Sequence, residues 1–426
     1  MLDINYIREN KEEVKKGVAA KQFDAKIVDN VLALDEKRRK LILEIEEIRA
    51  KRNKIAKEGK ASDEGKKIKE ELKDLEPKLS EVEKEYNQIL YQIPNTFSKD
   101  TPVGKDESEN KVIRKWGEPP KFDFEAKDHV ELGESLGLID IDSASKISGT
   151  RFAYLKGDAV LLEFALVQFA LGILTDEKIL KEIAGKVGKG YSSKTFIPVV
   201  PPVFIREDVF EKMARLNPKE ERYYIPTDNL YLIGSAEHTL GPLHMNQVLS
   251  EKDLPVRYVG FSTAFRREAG SYGKDTKGIL RVHQFDKIEM ESFTNSKDSV
   301  DEQNFFVAIQ EYLMQKLEIP YQVVAICTGD MGGPDFRQID IESWLPGQNK
   351  YRETHTSDLM TDYQSRRLGT KVQIKGVTEY VHMNDATAFA IGRTIIAILE
   401  NYQQKDGSVI VPEVLRKWVG KDTIKK

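Results

Sequence analysis

The stretch Thr263-Ala264-Phe265-Arg266-Arg267-Glu268-Ala269-Gly270, continuing through Asp275-Thr276-Lys277-Gly278 to Arg281-Val282-His283-Gln284-Phe285, decides the fold. A strand places residues two apart on one face, so Arg266 and Glu268 are expected to look the same way. A guanidinium can grip a phosphate through two parallel hydrogen bonds, and a carboxylate can accept from the amino group of a base. Standing alone, the stretch also fits a surface hairpin with charged pairing.

On its C-terminal side, Ala388-Phe389-Ala390-Ile391-Gly392-Arg393 enters an apolar helix that runs through Ile395-Ile396-Ala397-Ile398-Leu399. Gly392 permits close backbone approach, and Arg393 stands at the helix start. Between the two stretches lies Asp340-Ile341-Glu342-Ser343-Trp344-Leu345, followed by a Pro346-Gly347 turn and Tyr351-Arg352-Glu353. Phe196–Phe204, Val256–Phe261, Ile288–Phe293, Tyr321–Ile326 and Ile339–Trp344 read as strands, and Ala159–Leu174 as an apolar helix. Several strands follow one another with no helix between. That predicts an α+β domain with an antiparallel sheet flanked by helices. No GxxxxGK[ST] loop and no GxGxxG at a helix start is present, so a nucleotide would have to be held by another device.

Ahead of Pro94 the pattern changes. Leu34, Leu41, Ile48 and Ile55 recur every seven residues, with Ile45 in the alternate step. Ile68, Leu72, Leu75, Leu79, Val82, Tyr86 and Ile89 alternate steps of four and three. This is a coiled-coil seam, closed into an antiparallel hairpin by a turn across Gly59–Gly65. Pro77 removes a backbone donor inside the second helix and is expected to kink it. The end of the first helix is basic, with Arg49, Lys51, Arg52, Lys54, Lys57 and Lys60, and Lys66, Lys67 and Lys69 follow on the second. Such a run is either a solvated surface or a phosphate-contacting arm suited to an RNA backbone. The boundaries expected are an arm over 1–100, a linker over 101–121 rich in Pro and Gly, and the α+β domain over 122–426.

Composition sets the outer limits. The 426 residues are too many for one ordinary core. The formal net charge of −4 makes any nucleic-acid contact a local matter. Cys327 is the only cysteine, which excludes an intramolecular disulfide and a thiolate cluster. The polar start reads as no signal peptide, and no apolar run reaches the roughly 18 residues of a membrane span. A cytoplasmic protein without membrane contact is expected. None of the six histidines forms an HExxH pattern, and structural roles are expected for them.

With these stretches in hand, the chain resembles the seryl-tRNA synthetases, a family of class II aminoacyl-tRNA synthetases. Phe265-Arg266-Arg267-Glu268 with its His283-Gln284-Phe285 ending resembles motif 2, and Gly392-Arg393 resembles motif 3. Val199-Val200-Pro201-Pro202 is similar, weakly, to motif 1. The resemblance covers nearly the whole chain, arm included. It implies activation of L-serine with ATP to seryl-adenylate and transfer to tRNA(Ser), and it leaves open whether tRNA(Sec) is also serylated. It implies a homodimer and Mg²⁺, and no zinc is expected.

By the same resemblance, Arg266 holds the α-phosphate, Arg393 the γ-phosphate, and Glu353 and Thr356 the magnesium. Arg267, Glu268, Thr354 and His355 join the ATP site, and Phe285 stacks on adenine. Ser235, Ala236, Glu237, Arg266, Glu289 and Thr387 form the serine site. Arg49, Arg52, Lys54 and Lys57 contact tRNA. Three features depart from the family pattern: Ser235 stands where Thr is usual, Asp385 where Asn is usual, with Thr387 for a frequent Ser, and Thr354-His355-Thr356 replaces a common Ile-Ser-Ser. The smaller Ser235 makes threonine the alternative substrate. A ligase that charges a carrier protein is disfavoured by the arm, and an RNA-binding relic without catalysis by the retained Arg266, Glu268, Glu353 and Arg393.

Overall fold

The computed structural model describes residues 1–57, 63–269 and 277–426. The chain divides into two compact units, Met1–Phe97 and Ser98–Lys426. Most of the expected turn after Gly59, together with Lys60, lies outside the described residues, as do Gly270, Asp275 and Thr276 of the second stretch.

The first unit is helical: α1 (Ile4–Glu9), α2 (Lys11–Ala20), α3 (Lys26–Lys57) and α4 (Asp63–Gln92). At 1.5 Å per residue, α3 is about 48 Å long. Ile45, Ile48, Ile68 and Leu72 form the buried seam, with Ile55, Leu75 and Leu79 packed against it. Arg38 pairs with Glu83 and Arg49 with Glu76, so rising numbers on α3 meet falling numbers on α4. The hairpin is therefore antiparallel. The helix α4 runs on through Pro77 without interruption. Pro77 is exposed, so the carbonyl left without its usual donor can be served by water.

The second unit is built on eight strands: β1 (Lys111–Trp116), β2 (Ile197–Val199), β3 (Val256–Phe265), β4 (Gln284–Thr294), β5 (Tyr321–Ala325), β6 (Arg337–Leu345), β7 (Lys350–Thr361) and β8 (His382–Ala390). They lie in the order β1-β5-β6-β7-β8-β4-β3-β2. All neighbours are antiparallel except the short edge strand β2, which pairs parallel with β3. Three helices cover the sheet: α5 (Asp158–Leu174), α6 (Ser299–Lys316) and α7 (Ile391–Asn401). The large core cluster joins Leu162, Leu166 and Ala170 of α5 to Phe306, Leu313 and Ile396 of the other two.

Two expectations change here, and two strands are added. Residues 101–121 were expected as a linker, yet Lys111–Trp116 is paired to β5 at the sheet edge. Every residue of β1 is exposed, which is why the stretch carries no apolar alternation. The single strand expected over Phe196–Phe204 is instead Ile197–Val199 and a separate strand Phe204–Arg206, because Pro201 and Pro202 supply no ladder donors between Val199 and Phe204. The strands β7 and β8 escaped notice because their inward faces carry Glu, Thr, Ser and Asp.

Polar side chains also tie the layers together. In α6, Gln303 donates to the carbonyls of Arg337 (2.9 Å) and Ser357 (2.8 Å), and Gln310 to those of Thr356 (2.7 Å) and Thr387 (2.8 Å). These bonds fix β7 and β8 from behind. Among the described residues no single helix is long and apolar enough to cross a membrane.

Candidate active site

A cleft opens on the sheet face opposite those glutamines. Phe285 and Lys287 enter it from β4, Glu353, Thr354 and Thr356 from β7, and Thr387 from β8. Arg393 reaches it from the first turn of α7, and Arg266 from just past the end of β3. An adjoining chamber of ≈ 500 Å³ shares Arg266, Glu268, Arg281, Lys287 and Thr356 with this cleft. That volume is within the range of small-ligand sites.

The route by which Arg266 and Glu268 reach the cleft differs from expectation. The strand ends at Phe265, and Glu268 has a left-handed backbone with φ of 51°. The Arg266 amide donates to the His283 carbonyl (3.0 Å) and the Arg267 amide to Glu221 (3.2 Å), which turns the chain out of the sheet. Arg266 Nε is anchored on the Gly234 carbonyl at 3.1 Å, and its guanidinium lies 5.3 Å from the Phe285 ring. Glu268 accepts from Arg281 Nη1 at 2.8 Å.

At the other end of the cleft, Arg393 donates to Glu353 Oε1 (2.8 Å) and to the Glu353 carbonyl (3.1 Å). Partial desolvation within the cleft works against the charge on Glu353, but the Arg393 and Arg266 guanidiniums outweigh it and hold the carboxyl below its usual range. Glu353 and the Thr356 hydroxyl supply hard oxygen donors from one strand. Among the described residues, no three His, Cys, Asp or Glu side chains gather as a metal cage. A cation here would be one that takes further oxygens from a phosphate ligand and water, as Mg²⁺ does.

The inner end is crowded with charge. Lys287 Nζ lies 2.6 Å from Glu289 Oε2 and 2.9 Å from Ser235 Oγ, and Ser235 Oγ is 3.3 Å from the same Glu289 oxygen. Arg215 Nη2 meets Asp335 (3.2 Å), Asp358 (3.4 Å) and Asp385 (3.3 Å). Burial pushes Glu289 up to about 8 despite Lys287, and Asp385 up to about 7 despite Arg215. Burial also pushes His238, beside Glu237, down to about 4, so its imidazole is neutral near pH 7.

Of the residues expected to act, Arg266, Glu268, Phe285, Glu353, Thr354, Thr356, Thr387 and Arg393 share the cleft, and Glu237 lines the inner chamber. Ser235, Ala236 and Glu289 are fully buried, the first and last in contact with Lys287. Two others are not brought in. Arg267 is exposed, with its guanidinium 5.9 Å from the Tyr223 ring. His355 is buried against Phe389 (5.9 Å), and its Nδ1 is 2.8 Å from Thr354 Oγ1. Strand alternation turns its side chain away from the cleft. On α3, Arg52, Lys54 and Lys57 are exposed, whereas Arg49 pairs with Glu76 at 2.8 Å.

Lys287, Arg281 and Arg215 were not singled out. Lys287 was within reach of sequence reasoning: Phe285, Lys287 and Glu289 alternate along one strand and share a face. Arg215 carries no such signal, because it comes from a loop far from its three aspartates in sequence.

With this geometry in view, comparison with known proteins is informative. Residues 222–402 match the tRNA synthetase class II core domain (G, H, P, S and T), and residues 1–97 match the seryl-tRNA synthetase N-terminal domain. The chain is 41% identical to the serine–tRNA ligase of Dictyoglomus turgidum over 99% of this chain and 98% of the relative. It is 37% identical to that of Nitrosopumilus maritimus over 99% of each. It is similar in structure to the seryl-tRNA synthetase of Pyrococcus horikoshii complexed with ATP, with a TM-score of 0.90, 38% identity, and coverage of 100% of this chain and 99% of that one. The cytoplasmic serine–tRNA ligase of Naegleria fowleri in complex with AMP gives a TM-score of 0.87 at 32% identity, with the same coverage.

Proposed function

Because this chain belongs to the seryl-tRNA synthetase family, whose members are serine–tRNA ligases, we propose that its cleft activates L-serine with ATP and passes serine to the 3′ end of tRNA(Ser). The observation that carries this reading is the convergence of Arg266, Glu353, Arg393 and Lys287 on one cleft, with Lys287 bonded to the buried Glu289 and Ser235.

In the first step the serine carboxylate attacks the α-phosphate, and the bond to the leaving diphosphate breaks. This asks for positioning and neutralisation of charge, with no protein nucleophile. Arg266, anchored on Gly234, is suited to the α-phosphate, and Arg393 to the γ-phosphate once it leaves Glu353. Phe285 offers a face for adenine, and Glu268 an acceptor for its amino group. Glu353 and Thr356 would hold Mg²⁺, which supplies further charge neutralisation at the phosphates. In the second step a hydroxyl of the terminal tRNA ribose attacks the seryl carbonyl, and AMP leaves.

Glu289 and Glu237 carry the substrate's ammonium in this scheme, and Ser235 and Thr387 neighbour its hydroxyl. A site built to bond a hydroxyl rejects alanine, because its buried polar groups would be left unpaired. Rejection of threonine rests on sterics.

Residues 1–100 form the tRNA-binding arm, with exposed Arg52, Lys54 and Lys57 toward the phosphates, and 122–426 the catalytic domain. The chain works as a cytoplasmic homodimer. Edge strand β2 and its continuation leave Ile197 and Val200 exposed, as expected of a face covered by a second copy. Whether tRNA(Sec) is a second substrate follows from tRNA shape and is settled by charging it. The test is charging of a tRNA(Ser) transcript with radiolabelled serine. Serine linked to the 3′ end by an alkali-labile ester is the expected product, and no product with serine but product with another amino acid would overturn the reading.

A further inference from the structure

Lys287 has no role in the scheme above, and its surroundings give it one. It follows Phe285 and precedes Glu289 by two residues each on β4, so all three face the same side of the sheet. Its side chain is buried, yet it lines both the cleft and the inner chamber. One ammonium hydrogen bond goes to Glu289 Oε2 at 2.6 Å and one to Ser235 Oγ at 2.9 Å. Ser235 closes the triangle at 3.3 Å from that same Oε2. The other oxygen, Glu289 Oε1, is buried with no hydrogen-bond partner.

A buried acceptor without a donor is costly, and here it sits in the residue expected to meet an ammonium. We infer that Lys287 is a positioning residue for serine: it holds Glu289 through Oε2, fixes the Ser235 hydroxyl, and leaves Oε1 as the oxygen that receives the substrate's amino group. The inference rests on the serine-activation reading above.

Charge supports the geometry. Burial raises Glu289, and so do Glu237 on the short helix Glu237–Leu240 and Asp385 on β8. On β4 itself Glu291 is a further buried carboxyl, and Arg215 stands beyond Asp385. Lys287 is the cation in contact with Glu289. It opposes that rise, so without it the carboxyl would keep its proton to still higher pH and be a poorer partner for the ammonium.

The test is ATP–pyrophosphate exchange by the full chain, with serine and ATP varied separately between about pH 6 and 9. Lys287→Met should lose about 30-fold or more in kcat/KM for serine. KM for ATP should stay within about twofold, and the acid limb of the serine profile should move to higher pH. Lys287→Arg should recover part of the loss. On a Glu289→Gln background, Lys287→Met should add little, since the partner's charge is already gone. Tighter serine binding by Lys287→Met would overturn the inference, because Lys287 would then merely fill the substrate's place. Equal losses toward ATP and serine with an unmoved pH profile would overturn it as well. If Lys287→Met fails to fold, the comparison of Glu289→Gln with Glu289→Gln/Lys287→Arg decides: additive losses reject the coupling. Absence of serine exchange in the unmodified chain would sink the functional reading itself, whereas normal exchange in it and in Lys287→Met would sink this inference alone.

Discussion

Arg393 Nη1 and Glu353 Oε1 meet at 2.8 Å, so the arginine proposed for the γ-phosphate and the carboxylate proposed for the cation are each other's partner at one end of the cleft. The pair holds Glu353 ionised and Arg393 in place, at a site where Glu353 remains half-exposed. A polyphosphate would replace Glu353 as the arginine's partner and free the carboxylate. Arg393→Ala should therefore lower exchange by about 10²–10³-fold, the cost of losing one preorganised donor. Arg393→Lys should recover little, because a point charge does not reproduce the planar fork. An activity within about twofold of wild type in either variant, in pyrophosphate exchange, would contradict this role.

Glu163 on α5 gives a pH prediction outside the cleft. Burial first, then the neighbouring Asp286, push its carboxyl up to about 8. The folded chain thus binds this proton more tightly than the unfolded chain, and stability falls as pH rises from the ordinary carboxyl range through 8. Glu163→Gln should match wild type in thermal unfolding near pH 4 and exceed it near pH 8.5. A gap that is constant with pH would show that the carboxyl does not titrate this way.

Arg257 and Glu302 are both fully buried and joined by two bonds of 2.7 Å, with the guanidinium 4.4 Å from the Phe305 ring. Removing one partner strands the other charge in the core, at a cost of about 3–5 kcal/mol. Arg257→Ala should lower the melting temperature by roughly 10 °C, at about 2–4 °C per kcal/mol for a unit of this size. A shift of a degree or two would mean that water reaches Glu302.

The proposed division of labour places tRNA binding on the first unit. Removing residues 30–92 should abolish charging of tRNA while exchange without tRNA persists. Replacing Arg52, Lys54 and Lys57 with Ala should weaken tRNA binding and flatten its dependence on salt, by about 0.7–0.9 in slope for each phosphate that is no longer neutralised. Joint loss of both activities on deletion would count against the division.

Much of this architecture is legible in the sequence wherever burial is apolar. The seven-residue spacing of Leu34, Leu41, Ile48 and Ile55 yields the hairpin, and Val256–Phe261 and Ile288–Phe293 announce the central strands, which extend to Val256–Phe265 and Gln284–Thr294. Legibility fails where polar residues are buried. The strands β7 and β8 carry Glu353, Thr356, Asp358, Asp385 and Thr387 inward, so they lack the alternation of a half-buried strand. It fails too where backbone geometry overrides pattern, as at Glu268, which leaves the strand for a left-handed turn and still reaches the cleft. The Arg215 cluster gathers Asp335, Asp358 and Asp385 from three separate segments, a placement only the folded chain reveals.

The central claim is that this cleft activates serine. The most direct measurement is ATP–pyrophosphate exchange without tRNA, run with serine, threonine, alanine and glycine in parallel. Exchange that depends on serine, with the other three far behind, is the predicted result. Exchange with threonine equal to that with serine would contradict the assigned specificity, and no exchange with any of the four would contradict the claim that the cleft forms an adenylate unaided.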